Sequence, residues 1–118
     1  MSSNPPASPR AGVVWLGPDE PALRLLLTDV LGEVGLDLEL GGRSRGTVVL
    51  ALVYVESMAA CEALEADLLG IDVPVLALLP VMEDRLCRRA CERGAAACYA
   101  LGTPLDNLRS IVRSLRAA

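Results

Sequence analysis

Residues Thr47 to Val55 read TVVLALVYV, nine positions without a charge, a glycine or a proline. A half-exposed strand alternates polar with apolar, and this run does not. It fits a strand buried on both faces, as at the centre of a parallel sheet. A second run of the same kind, VPVLALL at Val73–Leu79, is closed by Pro80. Two shorter runs flank these: VVWL at Val13–Leu16, ended by Gly17-Pro18, and ACYAL at Ala97–Leu101. LDLEL at Leu36–Leu40 alternates apolar with acidic and reads as a strand half exposed at a sheet edge.

Helical patterns separate most of these strands. Leu23, Leu26, Leu27, Val30, Leu31 and Val34 recur at helical spacing. Asp19 stands as the N-cap of that helix, Pro21 suits its first turn and Gly35 stops it. Ser57 opens a helix to about Leu69, with Gly70 beyond it. Glu83-Asp84 open another that runs to Arg93, its acids first and its arginines last, as the helix dipole favours. Thr103-Pro104 start the final helix, striped by Leu105, Leu108, Ile111, Val112 and Leu115. Strands alternating with helices predict a doubly wound, flavodoxin-like α/β domain with helices on both faces of a parallel sheet. GGRSRG, at 41–46, is short for a parallel crossover, which takes about a dozen residues. The helix between the second and third strands is therefore expected to be reduced or missing.

The chain of 118 residues fits one domain, read as 12–118 behind a disordered arm at 1–11. That arm, MSSNPPASPRA, lacks the apolar segment of a secretory leader, and no apolar run reaches the roughly 18–20 residues a membrane span needs. A cytoplasmic location and no membrane partner are expected. A net charge of −4 with no basic block disfavours nucleic acid. The chain has eleven basic residues, all arginine, and no lysine. It has no histidine and no CxxC pair. Cys61, Cys87, Cys91 and Cys98 read as small core residues in a reducing compartment. Cys87 and Cys91 lie one helical turn apart, so a metal or redox pair is the other reading. No metal or cofactor is expected.

The stretch DEPALRLLL after the first strand, VPVLALLP, and GAAACYALGTP before the last amphipathic helix together resemble the receiver domain of bacterial two-component response regulators, from about Ala11 to Leu115. The resemblance implies the strand order 2-1-3-4-5. It implies a phosphorylation pocket at the strand ends: an acidic pair for Mg²⁺, an aspartate acceptor, a Ser or Thr, and a Lys. A carboxylate cluster holds the cation, and cation and lysine neutralise the transferred phosphoryl group. Here the acidic pair falls on Pro18-Asp19 with Glu20 beside it, the acceptor on Ala51 or Leu52, the hydroxyl on Leu79, and the lysine on Gly102 or Thr103. The expectation is a degenerate pocket. Asp19 reads as a helix cap or a residual Mg²⁺ ligand. Glu56 reads as a fixed charge over the old pocket or a solvated residue.

The resemblance also implies a docking face built from the family's fourth helix, fifth strand and fifth helix. In this sequence that face would carry Arg85, Arg88, Arg89, Arg93, Tyr99, Arg109 and Arg113, with Tyr99 at the family's switch aromatic. The chain therefore reads as a non-enzymatic pseudo-receiver that works through protein–protein contacts, with an unidentified protein partner and a homodimer through that face. No effector segment is expected beyond the last helix, so output is expected through binding. Two alternatives stay open: a small flavodoxin-like ligand-binding domain or enzyme, and an atypical receiver still phosphorylated on Glu56 or Asp19.

Overall fold

The structure, a computed structural model, describes residues 11–18, 20–40 and 48–117. Its elements run β1 (Gly12–Trp15), α1 (Pro21–Glu33), β2 (Asp37–Leu40), β3 (Val48–Tyr54), α2 (Met58–Asp67), β4 (Val75–Leu79), α3 (Asp84–Glu92), β5 (Ala97–Ala100) and α4 (Leu105–Ala117). All strand pairs are parallel and the order is β2-β1-β3-β4-β5. This is the doubly wound, flavodoxin-like sheet the apolar runs predict. No helix stands between β2 and β3 among the described residues. The GGRSRG connection and residues 1–10 of the arm lie outside them. Ala11, assigned to the arm from sequence, precedes β1 and accepts the Asp37 N–H at 3.1 Å.

Strand side chains alternate between faces, and each face buries its own set. Leu50 and Leu52 of β3 join Val13, Trp15, Leu76, Leu78 and Tyr99 on one side, beneath Leu27, Val30 and Leu31 of α1 and Leu108 and Val112 of α4. Ala51, Val53 and Val55 join Ala77 and Leu79 on the other, beneath Cys61 and Leu64 of α2 and Leu86 and Ala90 of α3. β4 is buried along its whole length, as a central strand must be.

Helix ends follow local chemistry. The α1 cap is Glu20 rather than Asp19: its backbone is extended, it makes no side-chain cap bond, and Pro21 follows at the first helical position. Asp19 itself lies outside the described residues. At the other end Leu36 N–H bonds Leu31 O at 2.9 Å across Gly35, the reverse turn that leads the chain into β2. Ser57 caps α2 as its side chain predicts, accepting the Ala60 N–H at 3.2 Å.

Ion pairs tie the helices on each face. Arg89 of α3 and Arg93 at its C-cap reach Glu62 of α2 at 2.7 and 2.6 Å, and Arg93 also reaches Glu65 at 2.8 Å. Across the sheet, Arg109 of α4 pairs with Glu33 of α1, and Arg116 donates to the Val34 carbonyl at 2.8 Å. These are exposed contacts, each worth up to about 1 kcal/mol. They orient helices that the apolar faces hold in place.

Candidate functional site

In sheets of this kind the chemistry sits beyond the carboxyl ends of the strands. β1 ends in Trp15, whose indole N–H donates to the Pro18 carbonyl at 2.8 Å and folds the following turn back onto the strand. A Cβ on Gly17 would lie 2.5 Å from the nearest carbon of that ring, so only glycine fits there. The turn that could have offered carboxylates is thus packed over an aromatic ring. Pro18 is exposed with no ligating side chain, and Glu20 sits at the start of α1.

The carboxyl end of β3 lies three residues beyond the position read as the phosphoacceptor. Ala51 is buried in mid-strand opposite Val75, the first residue of β4. Leu52 follows it, still within the ladder. The strand closes at Tyr54, and the Val55 N–H continues the pairing to Leu78 O at 2.8 Å. The misplacement is one of register: a uniformly apolar strand offers no polar residue by which to count its end. Val55 and Leu79 at the two central strand ends are both fully buried. Glu56 follows, exposed, next to the α2 cap. Gly102 has φ +91°, a conformation that disfavours a lysine or any other side chain there by roughly 1 kcal/mol. Among the described residues the only group of three or more potential metal ligands is a set of cysteines far from this turn in sequence. Among the described residues, which leave out Asp19, the strand ends bring together no carboxylate cluster of the kind Mg²⁺ takes.

Tyr99 points inward. It is 2% exposed, and its hydroxyl donates to the Thr103 carbonyl at 2.5 Å. The Thr103 hydroxyl in turn donates to Ala100 O at 2.7 Å. These two bonds close the β5–α4 loop on itself. Tyr54, Tyr99, Glu20 and Thr103, with Leu23 and Leu26 of α1 and Leu101 and Leu105 beside α4, line a cavity of about 440 Å³. Tyr54 was not singled out from sequence. The signal was its place two residues after Leu52, which sends the last aromatic of a buried strand to the α1–α4 face.

The seven residues expected on one docking face are dispersed. Arg85, Arg88 and Arg113 are exposed. Arg89 and Arg93 turn toward α2, Arg109 toward α1, and Tyr99 into the core. The Glu62 hydrogen bond raises the Arg89 pKa, and the same bond holds the Glu62 carboxyl below its ordinary range. The cysteines are also not uniformly core: Cys61 is buried, Cys87 and Cys98 are half-buried and Cys91 is exposed. Burial pushes the Cys61 and Cys98 thiols up.

The sheet order and the position of the strand-end site define a flavodoxin-like α/β domain. More narrowly, the chain has the fold of response-regulator receiver domains. It superposes on a response regulator from Thermotoga maritima with a TM-score of 0.72 at 15% identity, covering 92% of this chain and 99% of that one. A two-component response regulator from Clostridium difficile gives 0.70 at 13%, covering 90% and 95%. The Vibrio cholerae chemotaxis protein CheY4 gives 0.70 at 15%, covering 90% and 98%. No family model matches the sequence, and no curated protein sequence does.

Proposed function

We propose that this chain is a degenerate receiver: a non-enzymatic signalling module that acts through protein–protein contacts and does not depend on phosphorylation. The observation that carries this reading is the chemistry at the strand ends. Val55 and Leu79 are fully buried there, and the chain has no lysine. A phosphoryl group would arrive with its charge unneutralised. The input is then a binding event in the cytoplasm of a two-component-like system. The output edge is α3–β5–α4, where Arg85, Arg88 and Arg113 are exposed for a protein partner or a second copy. The test is incubation with acetyl phosphate and Mg²⁺, followed by intact-mass spectrometry and amide NMR. No added phosphoryl mass and no shifts at Pro18, Glu56 or Leu79 are expected. Stoichiometric phosphorylation of Asp19 or Glu56 would sink the reading.

The cavity favours a second reading, in which a small apolar molecule replaces phosphate as the input. Its volume of about 440 Å³ lies within the range of ligand pockets, and apolar walls carry a few polar groups. Tyr99 belongs to its lining, so an occupant would touch the residue at the family's switch position. A fragment screen read by the Tyr54 and Tyr99 ring signals separates this from a purely protein-driven module.

A further inference from the structure

Cys87 and Cys91 lie one turn apart on α3, and Cys98 lies in β5 beneath them. Their three sulfur atoms all fall within 4.8 Å of one another, and Cys91 Sγ to Cys98 Sγ is 4.0 Å. Cys98 donates its S–H to the Cys87 carbonyl at 3.6 Å, which holds it toward the helix. Three sulfurs placed about 2.3 Å from a common centre in one plane are about 4 Å apart. The observed spacing is thus within a small rotamer adjustment of trigonal coordination.

We propose that Cys87, Cys91 and Cys98 form a three-thiolate site for a soft d¹⁰ cation of the copper(I)–zinc(II) class. Thiolates select such ions over Mg²⁺ or Ca²⁺, which require oxygen ligands. The chain has no histidine to supply a nitrogen as fourth ligand, and Glu92, next to Cys91, is paired with Arg89 at 3.2 Å. Among the described residues no fourth ligand joins the three sulfurs, an arrangement that suits trigonal copper(I). Zinc would need water in the fourth position. Cys91 is exposed, so an ion has a path in. The ion would clip α3 to β5, the edge proposed above for output, and the proposal stands whether or not that role does. If the three cysteines are only packing between helix and strand, they bind no ion above the level of isolated thiols.

The test uses the full chain, fully reduced and anaerobic, because a bond between any two of these sulfurs would remove ligands. Copper(I) is titrated against bicinchoninate, and zinc(II) separately against a chromophoric chelator. The expected result is one equivalent per chain for at least one ion, with X-ray absorption counting three sulfurs at about 2.2–2.3 Å. A three-coordinate copper(I) spectrum assigns the copper arm, and three sulfurs with one light atom assign the zinc arm. Cys91→Ser and Cys98→Ser should each weaken binding at least about a hundredfold, since even the outer partners of metal ligands are worth 10–100-fold. Cys61→Ala should leave it unchanged. Cys91 is exposed, so its variant tests the site even if Cys98→Ser fails to fold. Half an equivalent bridging two chains, fewer than three sulfurs, or Cys91→Ser binding as tightly as the parent overturns the proposal.

Discussion

Gly17→Ala should destabilise this domain out of proportion to the single methyl added. The new Cβ would stand 2.5, 2.8 and 2.9 Å from three carbons of the Trp15 six-membered ring. An exposed ring could swing away, but Trp15 is 4% exposed and its indole N–H is bound to Pro18 O at 2.8 Å. Relief requires the ring to move into its neighbours, at about 1–3 kcal/mol for overpacking. It also requires stretching that hydrogen bond, at about 1 kcal/mol. The sum is about 2–4 kcal/mol. With a urea m-value of about 1.5 kcal/mol/M, the midpoint should fall by about 1.3–2.7 M. The chain contains one tryptophan, so its fluorescence follows the perturbed ring itself as well as unfolding. A double-mutant cycle isolates the cause: Phe at position 15 lacks the second ring, so Gly17→Ala in a Trp15→Phe background should lose most of its penalty. An equal penalty in both backgrounds, or a midpoint within about 0.3 M of the parent, would refute the packing argument.

Leu52→Ala empties a fully buried position at the sheet centre and should lose about 2–5 kcal/mol in the same denaturation assay. Tyr99→Phe removes the donor to Thr103 O and should cost about 1 kcal/mol, with faster amide exchange confined to the β5–α4 loop; protection unchanged at Gly102 and Thr103 would count against the bond. The Glu62 carboxyl is held low mainly by its hydrogen bond to Arg89. Its stabilising contribution should be present above the ordinary glutamate value of 4.5 and lost as the pH falls through its lower folded value, so the gap between parent and Glu62→Gln should close on acidification. A gap that does not change with pH would place the effect elsewhere. Reversing both exposed arginines of α3, with Arg85→Glu and Arg88→Glu, should leave the thermal midpoint nearly unchanged while weakening any self-association seen by sedimentation. Unchanged association would remove α3 from the interface.

The fold was legible because each strand carries its own burial signature. TVVLALVYV and VPVLALL could sit only at the centre, and LDLEL only at an edge, where β2 is found. The length of GGRSRG predicts a reduced or missing crossover helix, and that connection lies outside the described residues. The site was less legible, for a related reason. The apolar continuity that identifies β3 erases its register, so the acceptor position, expected at Ala51 or Leu52, falls in mid-strand while the strand runs on to Tyr54. Helix faces were lost to a different physics. Arg89, Arg93 and Arg109 are placed by acids on a neighbouring helix, Glu62, Glu65 and Glu33, and these pairings join residues 27 to 76 positions apart. No local pattern encodes them.

On the degenerate-receiver reading proposed above, the scaffold persists without the family's chemistry, and packing gives a physical reason. A phosphorylation pocket is a stability burden: it gathers carboxylates that repel one another at the ends of buried strands. In this chain Val55 and Leu79 fill the central strand ends and Trp15 braces the turn after β1. Apolar side chains at these strand ends need no solvation, so on the proposed reading they stabilise the sheet where a working pocket would have to hold charge. Tyr99 follows the same logic, since an aromatic fastened inward to Thr103 adds burial and a satisfied hydroxyl together. A switch needs two states within a few kcal/mol of each other. Packing of this kind widens that gap in favour of one state. On that reading, regulation enters where the packing is incomplete, at the cavity beside Tyr54 or along the cysteine-bearing edge of α3 and β5.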